Sequence, residues 1–344
     1  MRNRRSLPTK ILILAGLWTL TGCNRGEPAA TTGVRIPDSQ LSIFAPLPEV
    51  VESPEYELTS EKIDLGRMLY YDTRLSADRD ISCNSCHDLL KYGVDSQPVS
   101  DGHRKQLGDR NAPSVYNAAG HFVQFWDGRA PHVEEQAKGP VMNPVEMAMA
   151  SEEDLVAALS ADPGYQAAFH AAFPDNPNPI TLDNVGLAIG AFERKLLTPG
   201  RWDRFLKGDG SALTPAEKAG FSKFMEVGCQ GCHNGPYLGG DLYQKMGARK
   251  PWTDTTDLGR FRVTHRDSDK MLFKVPSLRN VEMTAPYYHN GSVATLDEAV
   301  REMGEYQLGR ILTPEETDSI VVWLHSLTGE IPVDYVTLPL QTIE

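Results

Sequence analysis

The stretch C-N-S-C-H at residues 83–87, repeated as C-Q-G-C-H at residues 229–233, decides the fold of this 344-residue chain. Both copies have the form C-x-x-C-H, the signature of c-type haem attachment, in which two thiols bond to the porphyrin and the histidine binds iron. A thioredoxin-like redox pair or half of a zinc site could explain a lone C-x-x-C. A histidine directly after both pairs favours two covalent haems instead. The predicted haem-binding residues are Cys83, Cys86, His87, Cys229, Cys232 and His233.

The fifth cysteine, Cys23, follows a segment typical of export. Four basic side chains in residues 1–10 precede an apolar run at residues 11–20, which is too short to span a bilayer comfortably. The residues around Cys23 resemble a bacterial lipobox. We therefore predict a lipoprotein signal peptide over residues 1–22 and a periplasmic protein anchored to a membrane through a lipid on Cys23. An ordinary cleaved signal with an incidental cysteine is the alternative, and it also exports the protein.

Residues 23–47 have no helical or strand period, and their Gly, Ala, Thr and Pro content indicates a flexible tether. Removal of residues 1–22 takes away four basic and no acidic side chains and changes the formal net charge from −12 to −16. This charge argues against nucleic acid as a partner. A basic or lysine-rimmed redox protein fits better, because opposite surface potentials speed the encounter.

Similar helix starts precede both haem motifs. L-T-S-E-K at residues 58–62 and L-T-P-A-E-K at residues 213–218 each open an amphipathic run, with Thr59 and Thr214 as predicted N-caps. A third start at residues 312–316 predicts a helix that continues towards Gly329. The pattern indicates a duplicated cytochrome unit.

The fold class predicted from these runs is all-α, with two cytochrome c-like haem domains, long loops and a few short β-ribbons. A helix is expected over residues 181–197, leading to the divide near Pro199. The predicted domains are residues 48–199 and 200–344.

Longer blocks of sequence surround the two motifs and resemble the bacterial di-haem cytochrome c peroxidases, which are related to MauG. The blocks lie at residues 110–118, 125–130, 136–147, 273–280, 284–291 and 299–304, and the resemblance runs from about Glu57 to Gly329. It implies an enzyme that reduces hydrogen peroxide to water with electrons from a small c-type cytochrome or cupredoxin. It also implies homodimers.

The resemblance implies that the C-terminal haem receives the electrons, with His233 and Met303 as axial ligands. A thioether ligand favours ferrous iron and raises the potential. From the pattern alone, Met303 could equally be a core methionine. A tyrosine at this position would point to MauG-type enzymes, which oxidise protein side chains.

The N-terminal haem is then the peroxidatic one, with His87 below the iron. By resemblance, His103 caps this iron in the oxidised enzyme and leaves on activation, although a loop histidine can also be simply solvated. Glu146 corresponds to the acid–base residue, and Phe125 and Gln136 to the walls of its pocket. Without the family, Glu146 would pass for an ordinary surface acid.

Two further roles rest on resemblance alone. Trp126 corresponds to a tryptophan between the haems, although it could be only a packed core residue. Calcium is expected at the Asn111 side chain and the backbone carbonyls of Thr284 and Pro286, because oxygen donors suit this hard cation.

Three rival functions stay open. A MauG-like oxidase of a partner protein is disfavoured by Met303. A non-catalytic di-haem electron carrier would keep both irons six-coordinate and leave peroxide untouched. A haem-storage lipoprotein finds no support in the residues around the first motif.

Overall fold

The computed structural model describes residues 35–337. The predicted signal peptide, Cys23 and the first part of the tether lie outside this range. Within it, no helix is long and apolar enough to cross a membrane.

Helices joined by long loops make up most of the described chain, as the sequence predicted. The helices are α1 (Asp38–Leu41), α2 (Ser60–Tyr71), α3 (Cys83–Cys86), α4 (Val133–Met142), α5 (Glu152–Ser160), α6 (Pro163–Ala172), α7 (Leu182–Glu193), α8 (Arg201–Leu206), α9 (Pro215–Val227), α10 (Phe261–Thr264), α11 (Leu296–Glu302), α12 (Pro314–Leu324) and α13 (Val333–Val336). Strands β1 (Tyr243–Lys245) and β2 (Leu272–Lys274) form an antiparallel ribbon in which Tyr243 lies opposite Lys274.

The predicted N-caps are confirmed. The Thr59 side chain accepts a hydrogen bond from the Lys62 backbone N–H at the start of α2. At the start of α9, the Thr214 hydroxyl accepts from the Glu217 N–H, while the Glu217 carboxylate accepts from the Thr214 N–H. Thr313 caps α12 through the same reciprocal arrangement. These side chains satisfy backbone donors that a helix leaves free at its first turn.

Two helices end earlier than predicted because side chains take over the backbone hydrogen bonds. Helix α7 ends at Glu193, since the Thr198 N–H donates to the Asn117 side chain instead of continuing the helix. Helix α12 ends at Leu324 and not near Gly329, whose N–H donates to the Asn280 side chain.

The helix that precedes each C-x-x-C-H motif packs closely on a later helix, α2 on α7 and α9 on α12. A glycine lies at each crossing. A Cβ atom on Gly66 would lie 1.8 Å from the Ala188 carbonyl oxygen, and one on Gly220 would lie 2.0 Å from the Ser319 carbonyl oxygen. Only glycine allows the two backbones to approach this closely.

The described residues bury two large hydrophobic cores. The first is built mainly on α2, α4, α5, α6 and α7, and the second mainly on α8, α9 and α12. Each also takes in a segment from the far end of the chain, because Val336 packs in the first core and Ile36 and Phe44 pack in the second.

The start of the described chain corrects one expectation. Ile36, Phe44 and Leu47 are buried, and the Phe44 ring lies edge-on to the Trp202 ring at 5.7 Å. Their apolar side chains gain free energy by leaving water. The flexible tether predicted up to residue 47 therefore does not extend through these residues.

Candidate functional site

One cavity of about 810 Å³ is lined by both C-x-x-C-H motifs. Helix α3 carries the first motif, and the second follows α9. The thiols are free and not paired in disulfides. The residues that the motifs contribute to the wall are Cys83, Cys86, His87, Cys229, Cys232 and His233.

Each motif histidine is held in the form that binds iron. The Nδ1 atom of His87 lies 3.3 Å from the Gly93 carbonyl oxygen, and that of His233 lies 3.1 Å from the Leu238 carbonyl oxygen. A carbonyl only accepts, so the proton lies on Nδ1 and the Nε2 lone pair is free for a metal. Burial lowers the pKa of both rings, that of His233 to about 4, and both are neutral at pH 7.

These features fit two c-type haems. Free thiols and a neutral histidine with a free Nε2 meet at two places in one enclosed space, as covalent attachment and iron ligation require. In residues 35–337, no group of three or more His, Cys, Asp or Glu side chains could hold a bare metal ion.

Polar side chains lie on the cavity wall near the first motif, where the charge of Glu146 acts on Cys86. Glu146, Gln136 on α4 and Phe125 all line this wall. Burial raises the pKa of the Glu146 carboxyl, while the positive charge of Arg129 and a hydrogen bond from Asn143 act in the opposite direction. The Arg129 guanidinium lies 3.4 Å from the centre of the Phe125 ring. The cavity therefore contains a carboxyl group whose protonated form is favoured by burial.

His103 does not line this cavity. Its ring faces Asp78, with 3.7 Å between Nδ1 and a carboxylate oxygen. Its backbone N–H donates to the carbonyls of Val145, at 2.9 Å, and Glu146, at 2.8 Å. A Cβ atom on Gly102 would lie 2.0 Å from the Val145 carbonyl oxygen, so this glycine permits close packing of the loop on the Glu146 segment.

The wall near the second motif is rich in sulfur and aromatic side chains. Helix α11 ends at Glu302, and Met303 begins a π-helical turn that runs to Leu308. Met303 lines the cavity and packs against a small cluster formed by Met246, Met271 and Phe273.

Trp126 packs against this same cluster from the N-terminal half of the chain. Its indole N–H donates to the Asn111 carbonyl at 3.0 Å, and its own carbonyl accepts from the Lys274 N–H at 2.8 Å. The ring is therefore fixed between the first half of the chain and the β-ribbon of the second half.

The structure also brings Asn111, Thr284 and Pro286 to the wall of the cavity. The Asn111 amide N–H donates to the Gln97 carbonyl at 2.9 Å, which fixes the orientation of the side chain.

Sequence reasoning missed three titratable groups on the cavity wall: the partly buried His121 and the buried Glu193 and Lys274. Glu193 and Lys274 are only 5% and 6% exposed. Nothing in their local sequence separates them from surface residues, since Glu193 lies near the end of a helix and Lys274 at the end of a strand.

Comparisons with known proteins agree with this geometry. The profile of a family described as di-haem cytochrome c peroxidase matches residues 60–211. The cytochrome c551 peroxidase of Pseudomonas aeruginosa is 44% identical over 312 residues, which cover 89% of this chain and 90% of that protein. That of Nitrosomonas europaea is 45% identical over 277 residues, covering 79% and 81%. The crystal structure of a MauG-like protein associated with microbial copper homeostasis matches with a TM-score of 0.77 at 29% identity, over 85% of this chain and 97% of that one.

Proposed function

Because the chain belongs to the di-haem cytochrome c peroxidase family and is a peroxide-reducing oxidoreductase with haem c, we propose a division of labour between its halves. Residues 200–344 form the haem domain that receives electrons from a small redox protein. Residues 48–199 form the haem domain at which hydrogen peroxide is reduced to water. The observation that carries this proposal is the contrast within one cavity between a wall with a carboxyl group and a wall with a thioether.

When bound, the two haems supply iron centres that bind peroxide and carry electrons. The protein must then move a proton from one peroxide oxygen to the other, so that the oxygen that receives it can leave as water. Glu146 suits both steps, because its carboxyl lines the cavity and burial raises its pKa, which favours uptake of a proton by this group. Gln136 orients the peroxide through a hydrogen bond, and Phe125 closes the pocket beside it.

His233 and Met303 would hold the iron of the second haem, and a thioether ligand would keep its potential high, as entry of electrons at this motif requires. Trp126 carries them towards the first motif, since it packs against the same cluster as Met303. The names of the relatives support a small c-type cytochrome as the donor. A cupredoxin could serve in its place.

His103 would serve as a removable ligand of the first haem iron. We infer that its position beside Asp78 is that of the released side chain, and that the ring would bind the iron in the oxidised enzyme. If His103 never binds the iron, the enzyme is ready for peroxide without reductive activation.

Three further proposals complete the function. Calcium binds the Asn111 side chain and the carbonyls of Thr284 and Pro286, and it biases the activated state. A lipid on Cys23 anchors the enzyme to a membrane on the periplasmic side. Two copies associate as a homodimer.

The test is a single turnover of half-reduced enzyme. One electron equivalent is added without oxygen, followed by one equivalent of hydrogen peroxide, and the remaining peroxide is measured. We expect complete consumption by the half-reduced enzyme and none by the fully oxidised one while His103 holds the iron. No consumption, with both irons still six-coordinate, would make the protein an electron carrier.

The likeness to a MauG-like protein raises a second candidate, oxidation of a partner protein. Met303 argues against it, because the family resemblance associates tyrosine at this position with that chemistry. A tryptophan modified in a partner after peroxide treatment, detected by mass spectrometry, would revive it.

A further inference from the structure

Lys274 is a buried cation without an acidic partner. It ends β2, is 6% exposed, and forms no ion pair with a carboxylate in residues 35–337. Asp127 is the acid whose negative charge acts on Lys274. Its carboxylate is already paired with Arg110 at 2.7 Å and with Arg129 at 3.1 Å. Burying a charge without a counter-charge is costly, so the site needs an anion from outside the polypeptide.

Two hydrogen-bond donors at this place are unused. The Lys274 ammonium has three N–H groups, and only two have acceptors, the Nδ1 atom of His121 and the Val123 carbonyl, each at 3.2 Å. Because His121 accepts at Nδ1, its ring proton lies on Nε2, which is buried without a partner. Burial lowers the pKa of Lys274 to about 8, so the ammonium is still largely charged at neutral pH.

Both side chains belong to the cavity wall beside the second C-x-x-C-H motif. The His121 ring packs on Gly240, where a Cβ atom would lie 2.3 Å from its Cδ2 atom. On the adjacent Gly239, a Cβ atom would lie 3.4 Å from the Nδ1 atom of His233. The unused donors are therefore next to the segment that holds the proximal histidine.

We propose that Lys274 and His121 together bind a propionate carboxylate of the haem attached at Cys229 and Cys232. This inference rests on the haem content of the proposed function and not on which haem reduces peroxide. A carboxylate supplies the missing counter-charge and accepts both unused N–H groups.

The pair also sets the potential of this haem. Reduction removes one positive charge from the iron, so a neighbouring cation favours the reduced state. Lys274 therefore raises the potential of the haem at which electrons enter.

The test measures the potentials of both haems in the holoenzyme by spectroelectrochemical titration. The variants are Lys274→Gln, Lys274→Arg and His121→Phe. Lys245→Gln is the matched control, because Lys245 is an exposed lysine on the partner strand β1. A pyridine haemochrome assay confirms two haems per chain in each variant.

We expect Lys274→Gln to lower the equilibrium constant for reduction of the second haem about tenfold, a shift of ~59 mV for one electron. In Lys274→Arg the potential should stay close to the wild-type value, because the positive charge is kept. In His121→Phe it should fall by less than in Lys274→Gln, and in Lys245→Gln it should not change. Peroxide consumption, measured separately with a chemical reductant, reports on the proposed function and not on this site.

A shift in Lys274→Gln no larger than that in Lys245→Gln overturns the inference. So does a wild-type potential that follows the concentration of added acetate, since the site would then hold a free carboxylate. If Lys274→Gln does not fold, His121→Phe decides: an unchanged potential of the second haem in that variant overturns the inference.

Discussion

The two C-x-x-C-H motifs hold their histidines alike but have different surroundings. In both, a backbone carbonyl fixes the Nδ1 proton, at 3.3 Å for His87 and 3.1 Å for His233. Near the first motif the cavity wall carries the Glu146 carboxyl, and near the second it carries the Met303 thioether. The two motifs therefore share the geometry needed for haem attachment. They differ in the side chains that line the cavity next to each of them.

The proposed division of function between the two motifs rests on this contrast. The helix pairs behind the motifs are alike, with Thr59 and Thr214 as caps and Gly66 and Gly220 at the crossings. The acid and the thioether come from segments outside those pairs.

The largest expected effect comes from the polar wall. Glu146→Gln keeps the shape of the side chain but removes the group that moves the proton, so peroxide cleavage should slow by ~10²–10⁴-fold. Rapid mixing of half-reduced enzyme with peroxide measures this rate. Glu135→Gln, an exposed change on α4, is the control. Equal rates in Glu146→Gln and wild type would remove Glu146 from the mechanism.

Replacing the thioether tests the other wall. Met303→His removes the proposed thioether ligand, which would favour ferrous iron. The potential of the second haem should therefore fall by on the order of 0.1 V or more, within the roughly 0.8 V that axial ligands span. Turnover with the protein donor should fall at least ~tenfold. Met283→His, at an exposed methionine, should change neither quantity. An unchanged potential in Met303→His would leave Met303 as a core residue.

The helix crossings test the duplication itself. Gly66→Ala and Gly220→Ala each force a methyl group onto a facing carbonyl, and each should lower the free energy of unfolding by about 1–3 kcal/mol. Gly139→Ala is the control, because its Cβ atom would meet nothing closer than 3.4 Å. Guanidinium denaturation measures all three. A large decrease in the free energy of unfolding at one crossing and none at the other would show that the two helix pairs are not equivalent.

A pH-dependent effect concerns Glu193, which lies on the cavity wall at the end of α7 and is 5% exposed. Burial raises the pKa of its carboxyl to about 8, Glu134 adds to this, and Arg194 opposes it. A glutamate in the unfolded chain has a pKa of ~4.3. At pH values between this pKa and that of the folded state, the folded protein keeps a proton that the unfolded chain has lost. The contribution of Glu193 to stability therefore falls as the pH rises from 5 to 8.

Glu193→Gln removes this titration. Its free energy of unfolding relative to wild type should rise by about 3–4 kcal/mol between pH 5 and pH 8, since each pH unit in this window contributes about 1.4 kcal/mol. Urea denaturation at several pH values measures the difference, with the exposed Glu153→Gln as control. A difference that does not depend on pH would contradict the raised pKa.

Features set by neighbouring residues could be predicted from the sequence, and features set by distant contacts could not. The caps Thr59 and Thr214 act within one helical turn, so their sequence was enough. The burial of Phe44 depends on Trp202, more than 150 positions away. A local pattern of Gly, Ala, Thr and Pro carries no such information.

In the candidate site, too, features set by neighbouring residues could be predicted and features set by distant contacts could not. The haem motifs are contiguous in sequence and predicted the positions of His87 and His233 on the cavity wall. Glu146 and Met303 could be assigned only through the family resemblance. The pairing of His121 with Lys274 joins residues 153 positions apart and had no signal in the sequence.

The division of labour is tested most directly by finding which haem takes the first electron. One reducing equivalent is added to the oxidised enzyme, and EPR spectra of wild type and Met303→His are compared to assign the signals. We predict that the signal of the haem ligated by His233 and Met303 disappears first, while the haem at His87 stays ferric and becomes high-spin. Loss of the His87 haem signal first, with the other haem still oxidised, would contradict the account.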